Sequence, residues 1–344
     1  MLVIVLFTAA CNPSTSQEDD TDPLSYETVS LSTKTRRFKV GIAGFGPTNF
    51  PQFNINDLTQ YWRNLDDVAE LYGVHTKWTE TDFITDARKN TDLPFEVVLG
   101  FQRVNEWENS VNEYTETARQ ILRADPGIKY FAIGNEINIQ YEKEPDKFDT
   151  FVSAYKSIYK TLKEEFPEVQ IFTVFQYEAL LGEAFLTGAA DLRDSEVFLL
   201  DKFDDTLDLI GLTLYPYFDH TDPNLIPDDY FAPVAKYGKP LAVTETGWMS
   251  RTSFSGPLEA LSDMGYTGSQ QQQVDYLLKL IELAEEDDFE FINWFFINDV
   301  ANWVDGDTGS DGLEIFDSIS LRDNQGNSKL VWDYWLSLKQ TPFN

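Results

Sequence analysis

The sequence predicts an α/β protein built as a single (β/α)8 barrel, and three observations carry that expectation. From Phe38 onward, short β-rich apolar runs alternate with longer segments of helical period, the pattern of a parallel sheet covered by helices. Eight such runs can be counted. Eight βα units over residues 38–344 suit a barrel, whose usual size is about 250 residues plus loops.

The runs are FKVGIAG (38–44), LYGVHT (71–76), FEVVLG (95–100), IKYFAIG (128–134), QIFTVF (170–175), LDLIGLT (207–213), KPLAVT (239–244) and FEFINWF (289–295). Between the fourth and fifth, Phe148, Phe151, Val152, Tyr155, Ile158, Tyr159, Leu162 and Phe166 recur at helical steps, giving one apolar stripe to lay on a sheet. Val111, Tyr114, Ala118, Ile121 and Leu122 do the same before the fourth run, and Val274, Leu277, Leu278, Ile281 and Ala284 before the eighth. The stretch 79–93 holds at most a short helix. A doubly wound open sheet competes, but it normally opens on a Gly-rich phosphate turn. Here GIAGFGPTNF (41–50) lacks the GxGxxG spacing and Pro47 interrupts it, so its glycines read as a loop after the first strand. No internal repeat and no second-domain linker is visible.

Composition narrows the chemistry. The chain has 344 residues with 26 basic and 58 acidic side chains, a formal net charge of −32. Nucleic-acid binders gain affinity by neutralising phosphates with Lys and Arg, so no nucleic-acid partner is expected. One cysteine excludes an intramolecular disulfide and a cysteine-rich metal site, and two histidines, His75 and His220, exclude a three-histidine zinc centre. No serine stands in a GxSxG turn. No cofactor and no metal are expected, which leaves carboxylate chemistry.

The N-terminus MLVIVLFTAAC (1–11) resembles a bacterial lipoprotein signal with Cys11 as the lipid-bearing residue, although Thr8 departs from the lipobox and no basic residue precedes the apolar run. An ordinary cleaved secretory signal is the alternative. Residues 12–37 read as a polar tether, and the folded domain as residues 38–344. No stretch approaches the ~20 apolar residues of a transmembrane helix, so membrane association is expected through the N-terminal lipid anchor alone and the domain outside the cytoplasm.

In a barrel, catalytic groups project from the C-terminal ends of strands. IGNEIN (133–138) places Asn135 and Glu136 after the fourth strand, and VTETGW (243–248) places Glu245 at the end of the seventh. A lone acid at a strand end is more often a loop or salt-bridge residue; the pair carries the inference. Two carboxyls facing one another across a barrel mouth are what glycosidic hydrolysis requires. One keeps a proton for the departing sugar oxygen and the other stays ionised to attack or to activate water.

These motifs, in this order, resemble glycoside hydrolase clan A, the retaining (β/α)8 glycosidases, over roughly residues 38–340. The resemblance implies that Glu136 is the general acid/base, that Asn135 contacts the sugar 2-hydroxyl and that Glu245 is the nucleophile. LTLYPYF (212–218) matches the clan's placement of a tyrosine, Tyr215, that hydrogen-bonds the nucleophile, and INWFF (292–296) puts Trp294 where many members have a tryptophan under the reacting sugar. His75 and Lys77 after the second strand and Gln176 after the fifth occupy positions where members hold the sugar. Within the clan, IGNEIN, LYPYF and TETGWMS are similar to endo-β-1,3-glucanases, with Met249 in place of a proline. IGNEIN and DLIGLTLYPYF are similar to endo-β-1,4-galactanases, which share the Lys239–Pro240 entry and differ at Trp248. The implied activity is retaining hydrolysis of a neutral polysaccharide or oligosaccharide, a β-glucan or a β-galactan. A non-catalytic carbohydrate-binding lipoprotein and a β-transglycosylase are the alternatives on the same fold.

Sugar rings present apolar faces on which aromatic side chains stack. Trp78, Tyr217, Trp248, Trp294 and Trp303 follow strand ends and are candidate platforms, whereas Trp62, Trp332 and Trp335 lie in helical patterns and read as packing. His220 lies in the loop after LYPYF. The acidic loop DGDTGSDGLE (305–314) fails the EF-hand pattern and reads as solvated.

Overall fold

The computed structural model describes residues 27–44, 65–100, 107–141, 144–182, 195–254, 258–266, 268–299 and 313–344. Cys11, the loop 45–50, Trp62, Trp303 and most of 305–314 lie outside the described residues.

Among the described residues, nine parallel strands form one sheet: β1 (Lys39–Gly44), β2 (Leu71–Lys77), β3 (Phe95–Gly100), β4 (Ile128–Ile133), β5 (Gln170–Phe172), β6 (Val174–Gln176), β7 (Ile210–Leu214), β8 (Leu241–Thr246) and β9 (Phe289–Phe295). Their order is β5-β4-β3-β2-β1-β9-β8-β7-β6. The outermost two strands, β5 and β6, are consecutive in the chain with only Thr173 between them, so the fifth predicted run is one stave in two pieces. Its first piece pairs with β4 and its second with β7, which makes the sheet a single (β/α)8 barrel. At the break the Thr173 hydroxyl donates to the Ile133 carbonyl (2.7 Å) and the Thr173 carbonyl accepts from Gly211 N–H (3.2 Å), so the backbone leaves no gap on either side.

The predicted stripes cover the outside of the barrel. In the helix Pro145–Glu165, Pro145 opens the first turn, Asp146 and Lys163 complement the dipole, and Phe148, Phe151, Val152, Tyr155, Ile158 and Leu162 are buried. Each such side chain contributes about 1.5–3 kcal/mol of burial. Ser269 caps the helix Gln270–Glu286 by accepting from Gln272 N–H (3.1 Å). Leu278, expected on its buried stripe, is 38% exposed.

Inside the barrel the side chains lie in layers. At the N-terminal end Lys39 Nζ reaches Tyr130 Oη (2.8 Å) and Glu290 (2.6 Å). Above them the Asn293 amide donates to Glu96 across the lumen. That pair fits because the two strands between β9 and β3 carry glycine: a Cβ on Gly41 would lie 2.0 Å from Asn293 Oδ1 and 2.8 Å from the Leu71 carbonyl, and one on Gly73 2.8 Å from Glu96. Gly41→Ala should therefore destabilise the fold by on the order of 3 kcal/mol, the upper end of overpacking costs, because a backbone carbonyl cannot swing aside. Gly100→Ala, with nothing nearer than 3.6 Å, should change stability by less than about 0.5 kcal/mol. Urea titration of both variants checks the contrast, and equal effects would refute the layered account.

The expected boundary at Phe38 is corrected. Residues 27–37, read as tether, pack on the C-terminal helix Leu330–Gln340: Val29 N–H donates to Ser337 Oγ (3.0 Å), and Leu31 is buried. Arg36, 1% exposed, donates to the carbonyls of Phe38 (2.7 Å) and Leu338 (3.2 Å) and pairs with Glu70. Its own backbone bonds Pro342 and Asn344. A buried guanidinium needs many acceptors, and the chain's two ends supply them. No described helix is long and apolar enough to cross a membrane.

Candidate active site

At the end of β4 the chain turns through Gly134 (φ 85°) and Glu136 (φ 48°) before the short helix Ile137–Tyr141. A left-handed backbone at a glutamate is unfavourable and persists only where neighbours enforce it. Asn138 does so: its side chain donates to the Gln176 carbonyl and accepts from Gln176 N–H, both at 2.8 Å, tying this turn to the end of β6.

Glu245 reaches the same mouth from β8. The ladder slips on both sides of it, between Leu212 and Thr213 on β7 and between Val243 and Thr246 against β9, and such irregularities re-aim side chains near active sites. Tyr215 Oη donates to Glu245 Oε2 at 3.2 Å, and the Asn135 side chain also hydrogen-bonds this carboxyl. Opposite, Thr213 Oγ1 donates to Glu136 Oε1 at 2.8 Å.

Burial raises both carboxyls above the usual range, and the negative charge of Glu136 raises Glu245 further. Beneath them Glu96, fully buried, is held well up by burial and then by Glu245. Burial and the neighbouring Glu136 push Glu245 up to about 8, so the pair keeps a proton at neutral pH.

The structure thus brings Glu136, Glu245, Asn135 and Tyr215 into one cluster and places the remaining expected residues variously. His75 is 4% exposed beside Phe295 (rings 5.8 Å apart), and burial drives its pKa to about 3, so it is neutral. Trp78 is half-buried against Tyr114 (6.3 Å). His220 lies half-buried against Tyr230 (5.7 Å).

Four expectations are corrected. Trp294 is fully buried outside the barrel, donating to the Ile319 carbonyl (2.9 Å) and packing on Tyr276 and Trp335; its neighbour Asn293 is the side chain that points into the lumen. By the same alternation the inward aromatic of this strand end is Phe295, which packs on Phe296 and Phe316. Trp248 and Tyr217 are fully buried together (5.8 Å) with Tyr266 against both, so neither offers a face to a sugar. Gln176 is engaged structurally, its Oε1 capping Ala179 N–H (2.6 Å) and its amide donating to Glu178.

Five residues of the site lie outside the candidates read from the sequence: Glu96, Asn138, Thr213, Asn293 and Glu178. A signal existed for three. Glu96 and Asn293 are polar residues inside runs that must be buried, and Glu178 is an acid in the otherwise apolar FQYEALL (175–181). Among the described residues no group of three or more His, Cys, Asp or Glu side chains has an arrangement that would hold a metal ion.

The model of the family described as "Glycosyl hydrolase family 53" matches residues 100–306. No curated protein sequence matches the chain. Among solved structures, the GH53 catalytic domain of Ignisphaera aggregans superposes with a TM-score of 0.54 at 16% identity, covering 94% of this chain and 100% of that one. The family 17 β-1,3-glucanosyltransferase of Rhizomucor miehei gives 0.55 at 12% identity, with 85% and 96% covered. A calcium-binding mutant of Bacteroides uniformis β-glucuronidase 2 gives 0.59 at 13% identity over 89% of this chain, which spans only 34% of that longer protein. At these identities the superpositions establish a shared barrel and nothing finer. The family match is different in kind: it covers more than half of the chain, includes both strand-end glutamates, and so shows that the chain belongs to glycosyl hydrolase family 53 and is a clan A glycoside hydrolase.

Proposed function

We propose that the protein is a retaining β-galactanase acting on β-1,4-linked galactan. The observation that carries the mechanism is the asymmetry of hydrogen bonding between the two buried carboxyls. Glu245 accepts from Tyr215 and Asn135, whereas Glu136 accepts from Thr213. Donors favour the ionised form, and although burial and Glu136 push Glu245 up to about 8, we assign the charge to Glu245 and the proton of the pair to Glu136 on this pattern of donors.

Glu245 then attacks the anomeric carbon as the C–O bond to the leaving sugar breaks, and Glu136 passes its proton to the departing oxygen. Water subsequently attacks the anomeric carbon, gives a proton to Glu136 and frees Glu245 as carboxylate. A galactan is favoured over a β-1,3-glucan because the family match coincides with the motifs similar to endo-β-1,4-galactanases. The net charge of −32 favours a neutral polymer over an anionic one.

The test pairs a substrate panel with active-site trapping. β-1,4-Galactan should be cleaved with retention and β-1,3-glucan and mannan should not. A 2-fluoro galactoside should leave its label on Glu245. Faster cleavage of β-1,3-glucan would overturn the substrate, and a label on another residue the mechanism.

A further inference from the structure

Glu178 has no part in the steps above, yet it is fully buried and tied to the catalytic cluster. It lies in the first turn of the short helix Tyr177–Leu181, directly after β6. Its carboxyl gathers neutral donors from three segments of chain: the Gln176 amide, the Tyr230 hydroxyl (3.1 Å onto Oε1) and the Tyr215 backbone N–H (3.0 Å onto the same oxygen). A buried carboxyl held by neutral donors is costly to keep. What it supplies is an acceptor oxygen able to take two donors at once, from a side chain and from the main chain.

The Tyr215 bond is the informative one. Tyr215 sits where β7 ends and the turn Pro216–Phe218 begins, and Pro216 has no N–H with which to continue a ladder. At that point the main chain of Tyr215 is fixed by Glu178, while its hydroxyl donates to Glu245 Oε2. We infer that Glu178 is a positioning residue for the glycosidase reaction: by holding the Tyr215 backbone it sets the hydroxyl that keeps Glu245 ionised. The inference rests on the proposed role of Glu245 as nucleophile.

Among the described residues, Tyr177, Tyr215, Tyr217, Tyr230 and Tyr276 surround or feel Glu178, and Glu136, Glu96, Tyr215 and Tyr217 surround or feel Glu245. Positioning and direct electrostatics therefore predict opposite signs. Loss of the Tyr215 donor raises the Glu245 pKa and moves the acid limb of the pH–kcat/KM profile to higher pH, whereas mere loss of a negative charge at Glu178 would move it to lower pH.

The experiment compares Glu178→Leu, Tyr215→Phe and the double variant on galactan, with pH profiles and thermal melts for each. Glu178→Leu, which removes the oxygen that Tyr215 N–H donates to, should lower kcat about tenfold, the scale of one hydrogen bond to a charged group, with KM little changed. Its acid limb should move to higher pH, as in Tyr215→Phe, and the double variant should be no worse than Tyr215→Phe alone. A limb that stays in place or moves down, with only the melting temperature lowered, would overturn the inference and leave Glu178 structural. A limb unmoved in Tyr215→Phe itself would instead refute the role given to Glu245, and the inference with it. Should Glu178→Leu not fold, Glu178→Asp keeps the charge and withdraws the oxygen by one methylene; it predicts the same upward shift, and an unmoved limb there counts against positioning.

Discussion

Glu245→Gln should reduce kcat/KM on galactan by on the order of 10^4 to 10^6, the scale on which loss of a nucleophile is felt, and should at the same time yield a more stable protein at neutral pH. Both follow from one feature. The carboxyl of Glu245 is raised above its ordinary value of 4.5, first by burial and then by Glu136, so its charge costs more in the folded protein than in the unfolded chain. For a raised acid the sign is fixed by linkage: its contribution to stability is full below 4.5 and is lost as pH rises through the folded value. Gln cannot ionise and keeps the shape, so it escapes that loss. The variant should melt higher than the parent at pH 7 by roughly 2–4 °C, the response to about 1 kcal/mol, and the gap should close near pH 4. Calorimetry at the two pH values, beside steady-state rates, decides it. A variant that is inactive but less stable at both pH values would mean that Glu245 serves the fold and not the reaction.

The eight strands were legible because each is a short apolar run set off by polar segments, and the barrel's order was legible because Glu136, Tyr215 and Glu245 fall after the right ones. What the sequence does not disclose is which face of a strand looks into the lumen. In half-exposed strands alternation of polar and apolar residues answers that, but a barrel strand is buried on both faces and its two parities look alike. FEFINWF therefore offers Trp294 and Phe295 equally. The parity is settled by Asn293, whose amide meets Glu96 197 residues away in the chain, a contact no local pattern contains. The same holds for Arg36, whose polar surroundings in sequence suggest a tether but whose acceptors come from Leu338 and Lys339 at the other end of the chain. The proposed catalytic pair stands in local motifs; the support beneath it, from Asn138 to Glu178, is made of long-range hydrogen bonds.

Glu136→Ala should separate substrates by their leaving groups, and that separation distinguishes the two glutamates from each other. On galactan the departing sugar oxygen is a poor leaving group that needs a proton, so losing the acid should cost about 10^2- to 10^4-fold in kcat/KM. An aryl galactoside with an acidic phenol leaves without help, so formation of the Glu245 ester should be slowed far less. Release of that ester still needs a base to take the proton of water, so the intermediate should accumulate and turnover should stall. Azide needs no base: its nitrogen attacks the anomeric carbon, the ester C–O bond breaks, and Glu245 returns as carboxylate. Added azide should restore turnover of the aryl galactoside and yield the β-galactosyl azide, with two inversions giving net retention. With Glu245→Ala the outcome is different in stereochemistry as well as in rate, because azide then occupies the vacated side of the sugar, displaces the leaving group once and gives the α-azide while Glu136 still supplies its proton. An α product from the Glu136 variant and a β product from the Glu245 variant would reverse the assignment, whereas equal losses on both substrates with no response to azide would remove Glu136 from the chemistry altogether. The hydrogen-bond pattern sets the expected answer: a carboxyl held by Tyr215 and Asn135 is built to carry charge, and one that accepts from Thr213 carries the proton.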